Sequence, residues 1–143
     1  MRKLQLADPE IRVVLMAKEA QAKPSADVQK AHSLATRKLF QIWDQLLIRD
    51  GVLFRQWENP TGSRSVLQLV MPKSERTNVL RDLHEGVAGG HLGEAKVLEK
   101  LKERFYWPAH AKEVNNWCQT CSTCAQRKHL AHSQNRRAEI HIS

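Results

Sequence analysis

The segment from residue 84 to 124, "HEGVAGGHLGEAKVLEKLKERFYWPAHAKEVNNWCQTCSTC", holds two clusters of side chains that are common zinc ligands. His84 and His91 open it at the spacing H-x6-H, and Cys118, Cys121 and Cys124 close it at spacings of three. A structural zinc site takes four histidine or cysteine ligands in a closed tetrahedron. The two clusters therefore predict a site formed by two histidines and two cysteines from distant parts of the segment.

The three cysteines allow two overlapping C-x2-C pairs, and their spacing leaves the choice between the pairs open. An odd number of clustered cysteines argues against a disulfide framework. A ferredoxin-type cluster would need a fourth cysteine where Lys128 stands, and a zinc knuckle would need one where Gln134 stands. A redox dithiol would need an alternating strand–helix–strand context, which the pattern does not show. The spacing of the histidines and cysteines therefore favours a structural zinc site over these alternatives.

Three amphipathic segments surround these clusters, and together they predict a three-helix, helix-turn-helix-like bundle that zinc stabilises. Ser74 is the expected N-cap of the first helix, residues 87–93 form a glycine-rich turn, and Pro108 ends the second helix. The aromatic residues of "FYWP" (105–108) admit a base-stacking interpretation, but a core position for Phe105 and Trp107 is favoured. The stripes predicted from the periodicity are Val79, Leu80 and Leu83 on the first helix, Val97, Leu98, Leu101 and Phe105 on the second, and Ala111, Val114, Cys118 and Cys121 on the third.

Upstream of the bundle, the pattern predicts a helical extension followed by a small β hairpin or meander. Asp8-Pro9 is the expected start of a helix over residues 8–22, and a second helix is expected over 25–43. Asp50-Gly51 predicts a tight turn between two short strands. The fold class is therefore mainly α with a small β element. The predicted domains are 1–44 (helical extension), 45–72 (β hairpin or meander), 73–128 (zinc-binding domain) and 129–143 (flexible basic tail).

Charge and composition favour a polyanionic partner over a membrane. The 143 residues carry a formal net charge of +8, and residues 101–143 have seven basic against three acidic side chains. Such an excess favours nucleic acid as the partner. No stretch has the roughly 18 consecutive apolar residues of a membrane span, and the charges of the N-terminal segment do not suit a signal peptide. We therefore expect an intracellular protein without a membrane partner.

The ordered motifs of residues 72–130 resemble the HHCC zinc-binding N-terminal domain of gypsy-type retrotransposon and retroviral integrases, which are parts of Pol polyproteins. The shared features are a histidine, a short spacer, Gly-His-x-Gly, an amphipathic helix, "FYWP", a second helix, C-x2-C and a basic residue four positions on. The segment "WDQLLIRDGVLFRQWE" (43–58) carries a weaker likeness to the region upstream of this domain.

The resemblance indicates which two cysteines bind zinc and which role the third cysteine has. In the family register the ligands are His84, His91, Cys121 and Cys124, which hold one structural zinc ion, and Cys118 falls where the family carries an apolar core residue. The resemblance also implies DNA binding at retroelement ends through phosphates, self-association in DNA integration, and a nuclear location without a clear targeting signal. The residues expected to contact DNA are Arg127, Lys128, Lys96, Lys100, Arg104 and Lys112.

The same resemblance implies that this chain is not an enzyme. Integrases carry their catalytic carboxylates in a separate core that follows the zinc domain, and that core is not expected within these 143 residues. Two alternatives to a DNA-binding module stay open. The chain is a host-adopted protein-interaction module that has lost DNA binding, or it is a fragment of an active integrase polyprotein.

Overall fold

The computed structural model describes residues 1–58, 60–62, 64–85 and 93–120. In these ranges the chain is mixed α/β, with seven α-helices and one four-stranded sheet. It forms two compact units, one of residues 1–77 and 101–109 and the other of residues 78–100 and 110–143. Across the described ranges, no helix is both long enough and apolar enough to cross a bilayer.

The helices and strands alternate in blocks along the chain. The helices are α1 (Arg2–Ala7), α2 (Pro9–Glu19), α3 (Ala26–Gln29), α4 (Leu34–Gln41), α5 (Lys73–Glu85), α6 (Glu94–Lys102) and α7 (His110–Thr120). The strands are β1 (Leu46–Arg49), β2 (Val52–Glu58), β3 (Ser65–Val70) and β4 (Phe105–Tyr106).

The sheet has the strand order β1-β2-β3-β4 and begins with a hairpin. Asp50 and Gly51 join β1 to β2 with φ angles of 53° and 76°. Two consecutive positive φ angles are typical of the mirror-image turn that suits the twist of paired strands, so the predicted Asp50-Gly51 turn is confirmed. β2 also pairs antiparallel with β3, whereas β4 pairs parallel with β3.

The fourth strand was not predicted from the sequence. The stripe of residues 94–105 predicts a helix that includes Phe105, but α6 ends at Lys102 and Phe105 lies in β4. The backbone N–H of Leu69 donates to the carbonyl of Arg104 at 2.8 Å, and that of Met71 donates to the carbonyl of Tyr106 at 3.0 Å. These hydrogen bonds, from β3 and from the residue that follows it, place Phe105 and Tyr106 in a strand. Local helical periodicity therefore does not decide the conformation of these two residues.

The core of the first unit lies between its N-terminal helices and the sheet. The stripe Ile11, Val14 and Leu15 of α2 is fully buried, as the helical spacing predicts. The helix predicted over 25–43 is divided into α3 and α4, because Ser33 starts a new helix by accepting a hydrogen bond from the Thr36 N–H at 3.3 Å. The remaining buried apolar residues of this core are Leu39, Phe40, Leu46, Leu53 and Val70.

The side chain of Gln5 connects α1 to two strands of the sheet. It is fully buried, donates to the carbonyls of Leu53 at 3.1 Å and Val70 at 2.7 Å, and accepts from the Leu53 N–H at 2.8 Å. Buried polar groups are stable when their hydrogen bonds are made in this way. The sequence offers no sign of this role, because a glutamine on a helix is usually exposed.

The carboxylate of Asp8 starts two helices. Its Oδ1 accepts from the N–H groups of Glu10 at 2.9 Å and Ile11 at 3.3 Å, which confirms the predicted cap of α2. Its Oδ2 accepts from the N–H of Lys73 at 2.8 Å, at the first residue of α5. The prediction that Ser74 is the N-cap of this helix is therefore wrong, since Ser74 already lies inside it.

The described part of the second unit contains portions of the three helices predicted to form the bundle. Leu80 of α5, Val97 of α6 and Val114 of α7 are buried, as the predicted stripes require, but Ala111, the first member of the predicted α7 stripe, is exposed. Asn115 of α7 donates from Nδ2 to Oε1 of Glu94 in α6 at 2.7 Å. The complete three-helix packing and its stabilisation by zinc stay predictions.

Candidate metal centre

His84 lies in the last turn of α5 and is fully buried. It follows the buried Leu80 by four residues, so both side chains lie on the same face of the helix. A buried imidazole is stable when its ring nitrogens have hydrogen-bond partners or bind a metal ion. This burial agrees with a ligand role for His84 and places the candidate centre at the C-terminal end of α5.

Cys118 lies in the last turn of α7 and approaches His84. It is 4% exposed and follows the buried Val114 by four residues, so the prediction that Cys118 is buried on this stripe is confirmed. Its Sγ lies 3.9 Å from Nδ1 of His84, at the long end of the range for a weak hydrogen bond to sulfur. The C-terminal turns of α5 and α7 therefore meet at this imidazole and thiol.

Most of the predicted metal shell lies outside the described residues. His91, Cys121 and Cys124 are in the undescribed ranges, so the four-ligand set stays a prediction. Within 1–58, 60–62, 64–85 and 93–120, no group of three or more histidine, cysteine, aspartate or glutamate side chains is placed to hold a metal ion.

The described residues nevertheless fit zinc. The buried imidazole of His84 is a nitrogen ligand of the kind that structural zinc sites have. In the sequence, Cys121 comes directly after Thr120, the last residue of α7. The first predicted cysteine ligand is therefore attached to the helix turn that contacts the first predicted histidine ligand.

The predicted DNA-contacting residues fall into two groups. Arg127 and Lys128 lie outside the described residues, whereas Lys96, Lys100, Lys112 and Arg104 are exposed to solvent. Exposure is required for a phosphate contact but does not demonstrate one. All six assignments stay predictions.

The α6 surface that carries Lys96 and Lys100 is not uniformly basic. Nζ of Lys96 lies 3.7 Å from Oε1 of Glu99, and both side chains are about two-thirds exposed, at 66% and 65%. Exposed pairs of this kind contribute at most about 1 kcal/mol to stability, but the carboxylate reduces the attraction of the surface for an anion. Lys96 is therefore a weaker candidate for phosphate contact than its charge alone suggests.

Trp107 is a core residue, as predicted for "FYWP". Its side chain is fully buried, and the guanidinium of Arg76 lies 5.4 Å from the centre of its ring. Tyr106 is half-buried beneath the guanidinium of Arg55 at 4.6 Å, and burial raises the pKa of its phenol while the nearby positive charge opposes that rise. A buried ring cannot stack on a nucleic acid base, so the base-stacking interpretation fails for Trp107.

The family comparison matches the segment that contains this centre. Residues 71–130 match the model of the integrase zinc binding domain, a family that is defined by zinc binding. The resemblance to gypsy and retroviral integrase zinc-binding domains is therefore confirmed over this segment. The match concerns the zinc-binding domain, and the expectation that the chain lacks a catalytic core stays a prediction.

Individual relatives come from mammals and from a virus. Gypsy retrotransposon integrase-like protein 1 of Macaca fascicularis is 27% identical over 84 residues, which are 59% of this chain and 16% of the relative. The protein of the same name from Rattus norvegicus is 30% identical over 60 residues, or 42% of this chain and 12% of the relative. The Pro-Pol polyprotein of Feline foamy virus is 29% identical over 55 residues, or 38% of this chain and 4% of the relative.

The chain thus spans only 16% or less of the length of these relatives. No solved structure matches the chain.

Proposed function

We propose that this chain is a zinc-binding integrase-type domain of a retrotransposon or retrotransposon-derived protein, and that it supports DNA binding and self-association in DNA integration. The observation that carries the proposal is the buried His84 at the end of α5, beside the last turn of α7 and within a segment that matches the integrase zinc binding domain. The names of the relatives support the same class.

Zinc in this proposal is structural. His84, His91, Cys121 and Cys124 would fill a closed tetrahedral shell, so no position is open for a catalytic water. Cys121 is three residues from Cys118, and three residues span at most about 11 Å. A shared metal ion for His84 and Cys121 is therefore compatible with the contact between Cys118 and His84. When bound, the ion would supply much of the folding free energy of the second unit.

DNA binding in this proposal depends on phosphate contacts. The net charge of +8 and the exposed basic side chains provide attraction that does not depend on base sequence. Such contacts release counterions from the DNA, so the binding constant falls as salt concentration rises. The proposal includes a nuclear location, which the resemblance to integrase domains implies.

The basic residues that follow the cysteine pair provide the first test. We expect Arg127→Ala combined with Lys128→Ala to weaken duplex DNA binding and to reduce the slope of log K against log salt by about one per lost contact. Fluorescence anisotropy at several salt concentrations measures both quantities. Zinc content should not change, because neither residue belongs to the predicted shell.

A matched control removes the same charge elsewhere. Lys3→Ala combined with Lys23→Ala removes two exposed positive charges from the N-terminal helical region. This variant should keep the wild-type salt slope, apart from a small loss of long-range attraction. Equal effects of the two double variants would show that net charge alone attracts DNA, and no effect of either would argue against DNA binding.

The second candidate function is a protein-interaction module. It is supported by the mixed charge of the α6 surface, where Lys96 lies 3.7 Å from Glu99. A zinc-loaded chain that self-associates or binds a protein but shows no salt-dependent DNA affinity would favour this function. The remaining possibility, a fragment of an active polyprotein, is supported by the small share of each relative that the chain spans, and the full reading frame would test it.

A further inference from the structure

We propose that Cys118 positions the zinc ligand His84 by accepting a hydrogen bond from its Nδ1, which leaves Nε2 as the nitrogen that faces the metal. This inference rests on the proposed zinc site and adds a residue that the predicted ligand set does not contain. Its basis is the distance of 3.9 Å between the Cys118 sulfur and Nδ1 of His84.

The chemistry of imidazole indicates that Nδ1 of His84 is the donor in the hydrogen bond with Cys118. A neutral imidazole carries one proton, and the nitrogen that binds a metal must present its lone pair. If Nε2 of His84 binds zinc, Nδ1 carries the proton and donates it to the nearby sulfur. Ligand histidines usually donate their second ring N–H to a fixed acceptor, which orients the ring and determines its tautomer. Cys118 is placed to be that acceptor.

The hydrogen bond between His84 and Cys118 is long, but the burial of both side chains increases its effect on the orientation of His84. His84 is fully buried and Cys118 is 4% exposed, so bulk water is a poor substitute for the sulfur. Removing an acceptor from a buried N–H costs more than removing it from an exposed one, because the donor loses its partner without regaining hydration. The orientation of His84 is therefore sensitive to the atom at position 118.

The position of Cys118 within α7 favours this role over a place in the shell. Side chains on a helix lean toward its N-terminus, so the Cys118 side chain leans toward the turn that contains Val114 and away from the helix end where Cys121 follows. The distance alone does not decide, because nitrogen and sulfur ligands on one tetrahedral zinc ion lie about 3.5 Å apart, given bonds of about 2.0 and 2.3 Å. The experiment must therefore separate a positioning residue from a ligand.

Cobalt(II) titration of the full chain compares the wild type with Cys118→Ser and Cys118→Ala. We expect Cys118→Ala to weaken metal binding by about 10–100-fold, whereas Cys118→Ser recovers most of the affinity because its hydroxyl still accepts from Nδ1. A purely structural role predicts the opposite order, since a serine hydroxyl is less favourable than a methyl group in an apolar position. An alanine variant that binds as tightly as the serine variant would overturn the proposal.

Two spectroscopic readouts complete the test. The sulfur-to-cobalt charge-transfer band at saturation should have the same intensity in all three proteins, since two thiolates bind the metal in each. A weaker band in both variants would make Cys118 a ligand and overturn its positioning role. Proton–nitrogen NMR of the zinc-loaded chain should show His84 protonated at Nδ1, and metal bound at Nδ1 would contradict the proposal. A wild-type chain that binds no cobalt would overturn the proposed function and this inference with it.

Discussion

Replacing Cys124 by serine is expected to abolish zinc binding and to unfold the helical segments of the second unit, whose described residues are 78–85, 93–100 and 110–120. A serine hydroxyl does not replace a thiolate ligand, and three remaining ligands leave the closed shell incomplete. Zinc contributes about 10–16 kcal/mol to the folding of small zinc domains, whereas whole domains are stable by only about 5–15 kcal/mol. The loss should therefore remove the fold of this segment. Native mass spectrometry measures the zinc content, and circular dichroism measures the lost helix.

Cys118→Ser is the matched control for this variant, because it makes the same chemical change at the other end of the cysteine cluster. It should keep one zinc ion per chain. Cys121→Ser does not distinguish the two overlapping pairs, since Cys121 belongs to both. If Cys118→Ser lost the metal while Cys124→Ser kept it, the ligand pair would be Cys118 and Cys121.

Replacing Trp107 by alanine is expected to lower the free energy of unfolding by about 3–5 kcal/mol. The side chain is fully buried and packs against the guanidinium of Arg76, so its removal leaves a large cavity and takes away this cation–π contact. Urea unfolding of the zinc-loaded chain, followed by circular dichroism, measures the change without depending on tryptophan fluorescence.

Trp57→Ala is the control for the loss of a tryptophan. Trp57 lies on β2 and is only half-buried, so its replacement should cost clearly less than that of Trp107. A Trp107→Ala variant with wild-type stability and weakened DNA binding would reverse the assignment of this residue to the core.

Features that depend on neighbouring residues were predictable from the sequence. Asp8 caps α2 through N–H groups two and three residues away, and Asp50-Gly51 forms its turn within two residues. The helical spacing also predicts the burial of Val114 and Cys118. In each case the interaction that determines the structure lies within a few residues of chain, so a local pattern is enough.

Features that depend on distant contacts were not predictable. The start of α5 at Lys73 is fixed by a carboxylate 65 residues away, and the strand character of Phe105 is fixed by β3. The candidate site shows the same division. Its residue types and the burial of Cys118 follow from the sequence, but the contact between His84 and Cys118 joins residues 34 apart. The choice of Cys121 and Cys124 as ligands comes from the family register.

The most direct test of the zinc-dependent fold is amide hydrogen exchange before and after zinc removal. Native mass spectrometry of the same sample measures the zinc content. One zinc ion per chain is expected. After chelation, amide protection should be lost along α7 and the C-terminal half of α5, while β1–β3 keep theirs because the first unit has its own core. A chain that holds no zinc, or an α7 whose protection survives complete metal removal, would contradict the proposed zinc-dependent fold.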